Sequence, residues 1–200
     1  MDTESIAFVL DEIHQFNAEL GQLSGKPPLG VPAGGATDAA VAAFASAQGL
    51  VFPPSYAEFL KSHAGWDKFF NGVTLIGAGG PETEFVLKRF EAAKIAQKVD
   101  LKTLLGDVSP AALTAWRQRI PRNVVLDEMG VLGTDGIGFF LLFDLPRRGA
   151  DGEMAVMSWD LSYGALETGY FRNFHAYLIH VRNALDKERI AAVKAARKKK

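Results

Sequence analysis

The second half of this chain carries three β-rich runs in a row, with short turns between them. The runs cover residues 123–126, 138–145 and 153–159, and they are rich in the β-branched and aromatic residues typical of strands. Gly133-Thr134-Asp135-Gly136 and residues 147–152 form the connections, and both have the composition of hairpin turns. Sequential strands joined in this way predict an antiparallel sheet.

Helical spacing dominates the rest of the sequence. Between Thr3 and Leu23 apolar residues recur at steps of three and four, which places them on one helix face that another surface must cover. Proline, glycine and capping residues delimit further helices at 38–48, 54–64, 82–99, 110–120 and 171–185, and a short strand at 73–76. Strands and helices do not alternate, so a doubly wound parallel sheet is not expected.

Breaks in composition divide the chain into four parts. Residues 1–25 form the amphipathic N-terminal helix, and residues 26–36 form a Pro/Gly-rich linker that can propagate neither helix nor strand. Residues 37–185 form the main domain, and residues 186–200 form a basic C-terminal tail. A chain of 200 residues suits a single hydrophobic core.

The charge is unevenly distributed along the chain. Seven basic residues against one acidic residue follow Asp186, so the net charge of -1 leaves about -7 on residues 1–186. This acidic body does not favour nucleic-acid binding, which depends on a broad basic surface. The basic tail itself suits a solvated helix end, where cations meet the helix dipole favourably.

The sequence predicts no targeting signal, and it contains no cysteine. The first residues, Met1-Asp2-Thr3-Glu4, are acidic where a signal peptide would be basic, and no apolar run approaches the roughly 20 residues that span a bilayer. The chain has no cysteine, which excludes disulfides and thiolate chemistry and suits a reducing compartment. We therefore expect a cytoplasmic protein without membrane contact.

One glycine-rich turn resembles a nucleotide-binding loop. Gly77-Ala78-Gly79-Gly80 follows a predicted strand and precedes a helix, as in dinucleotide-binding folds. Glu82 stands where the third glycine would be, and its carboxylate would repel a diphosphate, while Pro81 removes an amide donor. A structural turn is the favoured interpretation, and a nucleotide-binding enzyme is the minor alternative.

Catalytic and metal-binding patterns are not found. The four histidines, His14, His63, His175 and His180, include no pair at the i+3 or i+4 spacing of a helical metal site. No serine stands in a nucleophile elbow or a Ser-x-x-Lys pair. We expect no catalytic residue, no metal and no cofactor.

Four residues near predicted turns are candidates for contact with another protein. They are Trp66, Asp67, Asp135 and Tyr163. A tryptophan after a helix-ending glycine can anchor an interface, although a core position is the favoured interpretation for Trp66. Asp135 lies beside glycine, where carboxylates commonly accept hydrogen bonds from turn amides. These residues predict an exposed protein-binding rim.

Three motifs in the main domain resemble those of a known family. The first is the corner Gly49-Leu50-Val51-Phe52-Pro53-Pro54-Ser55-Tyr56-Ala57-Glu58-Phe59-Leu60, followed by Ala64-Gly65. The second is Phe143-Asp144, then Val156 and Trp159-Asp160, and the third is Phe171-x-x-Phe174-x-x-Tyr177-Leu178. Their order and spacing over residues 37–185 are similar to the SUKH superfamily, which includes Smi/Knr cell-wall assembly regulators and many bacterial immunity proteins.

The resemblance implies an α+β fold with a twisted, mainly antiparallel sheet and helices packed around it, here with an extra N-terminal helix. It also implies a non-catalytic role in which the partner is a protein, often a secreted toxin with nuclease activity. The acidic body suits a basic toxin surface. The alternative is a regulatory scaffold or self-associating module, in which the N-terminal helix docks onto a partner or a second copy.

Overall fold

The computed structural model describes residues 4–25, 30, 32, 34–106, 109–119, 124–162 and 164–197. Its helices are α1 (Ile6–Ser24), α2 (Asp38–Ala47), α3 (Pro54–Ser62), α4 (Pro81–Leu105), α5 (Pro110–Arg119) and α6 (Phe174–Arg197). Its strands are β1 (Trp66–Phe70), β2 (Val73–Leu75), β3 (Met129–Thr134), β4 (Phe139–Arg148), β5 (Met154–Asp160) and β6 (Gly164–Phe171).

The strands form one curled antiparallel sheet in the order β1-β2-β3-β4-β5-β6. Each strand pairs with the next one along the chain, so the sheet is a meander. Irregular register within most of these pairs lets the sheet curl. The predicted α+β class and the predicted antiparallel sheet are confirmed.

The predicted strand at 123–126 is wrong. Val124 and Val125 are irregular, Leu126–Glu128 is a 3-10 turn, and Asn123 lies outside the described residues. The side chain of Gln97 donates to the Val124 carbonyl at 2.7 Å and accepts from the Leu126 amide at 2.8 Å. A side chain therefore takes the place of a strand partner, and the apolar run is buried against α4.

Helices cover both faces of the sheet. Alternate residues of a strand face opposite sides, and β4 shows this clearly. The Phe143 ring lies 5.2 Å from the Tyr56 ring of α3, whereas the Phe140 ring lies 5.7 Å from the Phe90 ring of α4. Helix α3 with α1 and α6 thus packs on one face, and α4 packs on the other.

The residues that resemble the SUKH motifs build the centre of the core. The Tyr56 ring contacts the rings of Phe52, Phe59, Phe143 and Phe174 at centroid distances of 5.2 to 5.7 Å. Its hydroxyl donates to a backbone carbonyl at 2.7 Å, so the one polar atom of this side chain is satisfied. The motif residues therefore act first as packing residues.

Helix α1 is part of the core. Its apolar face is buried mainly against α6, with further contacts to α3, and it includes Ile6, Val9, Leu10 and Ile13. The helix begins where the Ser5 hydroxyl accepts from the Phe8 amide, and it ends at Gly25 with a φ of 64°. The cover that this apolar stripe requires is supplied within the chain.

Two arginines of α6 connect it to α1. Arg182 donates to Glu4 at 2.8 Å and to Glu12 at 3.1 Å, and Arg189 donates to Glu19 at 3.1 Å. Because α6 is continuous to Arg197, residues 186–197 of the predicted tail are helical.

The described part of the predicted linker lies against the corner between α3 and β1. The Ala36 amide donates to the Leu60 carbonyl at 2.9 Å, and the Gly34 carbonyl accepts from the Ala64 amide at 3.0 Å. A Cβ at Gly35 would overlap the Lys61 carbonyl, so glycine permits this close approach. No helix in the described part of the chain is long and apolar enough to cross a membrane.

Candidate protein-binding cleft

Two of the four predicted contact residues lie at the same end of the sheet. The Asp67 carboxylate accepts from the Thr74 hydroxyl at 2.7 Å, and Thr74 is paired with Thr134 across β2 and β3. Asp135 directly follows Thr134 in the turn between β3 and β4. Asp67 and Asp135 therefore lie near one end of the sheet, but they line different cavities, so the fold does not bring them into one site.

Trp66 does not lie on this rim, which corrects the prediction for this residue. Its side chain is only 1% exposed. The indole stacks on the His63 ring at 5.1 Å and meets the Phe69 ring edge-on at 5.0 Å, so Trp66 fills the core between α3 and β1. The favoured core position was the correct one, while Tyr163 lies outside the described residues.

A cleft of about 400 Å³ opens at this end of the sheet, on the face that packs against α6. We call it the sheet-end cleft. Strand residues form its floor, and α6 supplies one wall. Its lining residues are Phe70, Asn71, Val73, Asp135, Phe139, Ser158, Asp160, Gly169, Phe171, Tyr177 and His180. Cavities of this size hold a small ligand or a protruding side chain of a partner.

Asp135 is held firmly in the turn at the cleft mouth. Its Oδ1 accepts from the amides of Ile137, Gly138 and Phe139 at 2.8 to 3.0 Å. Partial burial raises the pKa of this carboxyl, and the backbone amides lower it by more, so its pKa lies below the ordinary value. Asp135 is therefore ionised at neutral pH, and its predicted role in the turn is observed.

Asp160 places a second carboxylate beside the first. Asp160 is the direct partner of Phe139 across β4 and β5, so the two side chains project from the same face of the sheet. Its Oδ1 accepts from the Ser162 amide at 2.7 Å, which fixes the carboxylate in the turn before β6. The described lining includes no lysine or arginine, so the cleft carries negative charge at neutral pH.

Large apolar side chains are exposed on and beside the turns next to the cleft. Ile137 is 81% exposed at the tip of the β3–β4 turn, and Leu161 is 56% exposed in the next turn along the sheet. The two turns touch, because the Leu161 amide donates to the Gly138 carbonyl at 2.9 Å. Phe85 of α4, 50% exposed, lies against Gly136 on the other side. We call Phe85, Ile137 and Leu161 the apolar rim.

Sequence reasoning missed the apolar rim and all of the described cleft lining except Asp135. Ile137 stands between two glycines, which marks a turn but not the neighbour that this turn meets. Leu161 directly follows strand β5, and the sequence does not show that its turn meets the turn of Ile137. An isoleucine and a leucine at turn tips were the available signal, because turns are normally polar.

The glycine-rich turn at Gly77 has a structural explanation. The Gly77 amide donates to the Thr83 hydroxyl at 2.9 Å, so it is not available to a phosphate. A Cβ at Gly77 would overlap the Ala64 carbonyl, which shows why glycine is needed there. A second cavity of about 410 Å³ lies beside this turn, and its lining includes the carboxylates of Asp67 and Glu82. These carboxylates would repel a phosphate, so they support the structural interpretation of the turn.

Potential metal ligands are dispersed over the part of the chain that the structure describes. No group of three or more histidine, aspartate or glutamate side chains there is arranged to hold a metal ion. His63 and His14 both contact the Trp66 ring, at 5.1 and 6.2 Å. Burial lowers the pKa of His63, so its ring is a neutral packing partner.

Comparison with known proteins gave no relative: no protein-family model matches this chain, and no curated protein matches it. The SUKH resemblance therefore rests on the motif residues themselves. The sheet-end cleft and the apolar rim are the features of the chain that bear on its function.

Proposed function

We propose that this protein is a non-catalytic, immunity-type binding domain that neutralises a basic protein toxin by contacting it through the sheet-end cleft and the apolar rim. The observation that carries the proposal is the combination of two carboxylates with exposed Ile137 and Leu161 at one end of the sheet. Such a surface combines an apolar anchor with complementary charge, as specific interfaces do.

A protein suits this surface better than a nucleic acid does. Exposed isoleucine and leucine side chains lose contact with water only when another apolar surface covers them. Carboxylates at the cleft mouth repel phosphates and attract lysine and arginine. The acidic body of the chain extends this preference beyond the cleft and favours fast association with a basic partner.

The SUKH resemblance supports the toxin as the kind of partner. The motif residues occupy the core in positions that fix α3, β4 and α6 relative to one another. A family core of this kind can present variable turns, and the apolar rim consists largely of turn residues. Neutralisation then follows from occluding the toxin surface and requires no catalytic group.

Self-association is the second candidate. The N-terminal helix does not favour self-association, since α6 covers the apolar face of α1. The outer face of α4 does favour it, because Ile95 and Val99 are exposed one helical turn apart. Sedimentation of the wild type and of Ile95→Lys distinguishes the cases: a dimer lost in the variant supports self-association, and a monomeric wild type removes it.

Capture of the partner from the native cells tests the proposal. The tagged wild type, Ile137→Asp and a control, Val51→Asp, are purified at moderate salt, and the bound proteins are identified by mass spectrometry. Val51 is a matched control because it is an exposed β-branched residue in the α2–α3 connection. We expect a stoichiometric basic toxin with the wild type and Val51→Asp, and its loss with Ile137→Asp.

The size of the expected loss of affinity follows from the position of Ile137. An apolar anchor near the centre of an interface contributes about 2 kcal/mol or more to binding. The Ile137→Asp substitution should therefore raise the dissociation constant at least about 30-fold. Recovery of the protein alone, while a neighbouring toxin is demonstrably expressed, would contradict the immunity function. Equal capture by all three proteins would contradict the assigned surface.

A further inference from the structure

We propose that the sheet-end cleft receives one lysine or arginine side chain of the protein partner, which lies between Asp135 and Asp160. This inference rests on the proposed function and specifies the chemistry that its binding site recognises. The occupant is chosen by charge complementarity, by the aromatic walls and by the small volume of the cleft.

The two carboxylates flank a single strand position. Phe139 donates its amide to Asp135 Oδ1 at 3.0 Å, and Phe139 pairs directly with Asp160 across the sheet. A cation above Phe139 is therefore within reach of both acids. Asp135 Oδ1 is occupied by three amides, while its Oδ2 has no hydrogen-bond partner among the described residues. Asp135 can thus accept a further hydrogen bond without releasing the turn.

Aromatic side chains form the walls behind these acids. The Phe171 ring lies 5.3 Å from the Tyr177 ring and 4.9 Å from the His180 ring of α6. Long cationic side chains bury their carbon stems against such surfaces and hold the charged end towards carboxylates or ring faces. The lining therefore matches both parts of a lysine or an arginine.

The size of the cleft excludes larger occupants. A volume of about 400 Å³ accommodates a single long side chain but not a helix or a strand. Around the cleft, Ile137 and Leu161 remain outside and face the partner surface. The partner is then expected to present one cation inside the cleft, with apolar residues around that cation.

Short peptides test the recognition chemistry in the full-length protein. The probes are Ac-Gly-Arg-Gly-NH₂, Ac-Gly-Lys-Gly-NH₂ and a neutral citrulline analogue of the first, added to ¹⁵N-labelled protein and followed by NMR. We expect saturable shifts of the Asp135, Phe139 and Asp160 amides with millimolar dissociation constants for the cationic peptides. The citrulline peptide should bind at least about 10-fold more weakly, because it forms no charge-assisted hydrogen bonds.

Asparagine variants test whether Asp135 and Asp160 bind the cation. Asp135→Asn and Asp160→Asn each retain an oxygen that can accept from the turn amides, so the turns should persist. Each should weaken the cationic peptides about 10-fold. Asp151→Asn is the matched control, because Asp151 also caps a turn, through the Glu153 amide at 3.0 Å, but lies outside the cleft. It should bind like the wild type.

Distinct outcomes separate this inference from the proposed function. Equal binding of the citrulline peptide, shifts at another surface, or no saturation at tens of millimolar would overturn the cation site. A captured toxin whose affinity is unchanged in Asp135→Asn and Asp160→Asn but lost in Ile137→Asp would retain the function and overturn the inference. Peptide binding that depends on both acids, without any toxin captured from native cells, would retain the cation site and overturn the function.

Discussion

Replacing Leu10 by alanine removes a side chain that α1 buries completely, with only 1% of its surface exposed. A buried leucine replaced by alanine costs about 2 to 5 kcal/mol, because the transfer energy of the lost methyl groups adds to the cavity that they leave. For a domain of this size we expect the melting temperature to fall by roughly 4 to 20 °C. Phe8→Ala is the matched control, since Phe8 lies on the same helix but is 49% exposed.

Urea unfolding of both variants, followed by tryptophan fluorescence and circular dichroism, measures this difference. The tryptophans report on the core because Trp66 stacks on His63 and packs against Phe69. We expect a large fall in the transition midpoint for Leu10→Ala and a change of about 1 kcal/mol or less for Phe8→Ala. A Leu10→Ala protein within about 0.5 kcal/mol of the wild type would refute the packing of α1 into the core.

Deletion of α1 extends the same reasoning. Four apolar residues of α1 are fully buried, and each contributes about 1.5 to 3 kcal/mol, or roughly 6 to 12 kcal/mol together. Native domains are stable by only about 5 to 15 kcal/mol. A chain that begins at residue 36 should therefore lose its cooperative unfolding transition, whereas a helix that serves only as a docking arm would leave this transition unchanged.

Three further perturbations test separate parts of the structure. Tyr56→Phe removes a buried hydroxyl that donates to a backbone carbonyl at 2.7 Å, and we expect a loss of about 1 to 2 kcal/mol in urea unfolding with little change in fold. Gly77→Ala places a Cβ against a backbone carbonyl and should destabilise by more than about 2 kcal/mol, whereas Gly34→Ala meets nothing within 4 Å and should be near neutral by calorimetry. Asp135 has a lowered pKa in the folded state, so its stabilising contribution is present above its unfolded pKa of about 3.9 and is lost as the pH falls through the folded value. Unfolding measured from pH 6 to pH 2 should show this loss in the wild type and less of it in Asp135→Asn; identical pH profiles would contradict the assignment.

The helices and the antiparallel pairing were predictable because they depend on local spacing and on short turns. Strands β1, β3 and β6 were not predicted from the sequence. Strand β3 contains Gly130 and Gly133, which suggest a turn, although Gly133 permits a close approach to the Thr74 carbonyl. Strand β1 has Lys68 at a φ of 49° and an irregular register, so its residues do not alternate regularly. In both strands, tertiary contacts outweigh the local pattern.

The candidate site was only partly predictable, because tertiary contacts bring most of its residues together. Asp135 could be recognised because a turn with glycine and aspartate has a characteristic composition. The other acid and the walls of the cleft come from β5, β6 and α6, and only the register of the sheet brings them together. Trp66 remained a candidate for the rim beside its favoured core position, because the sequence does not show that His63 and Phe69 enclose its ring.

Hydrogen–deuterium exchange of the captured complex tests the central claim most directly, because it locates the partner without changing a residue. We predict that partner binding slows exchange at residues 135–139 and 160–162, while the outer face of α4 around Ile95 exchanges as in the free protein. Protection confined to α4, or no protection in the two turns, would contradict a binding site at the sheet-end cleft.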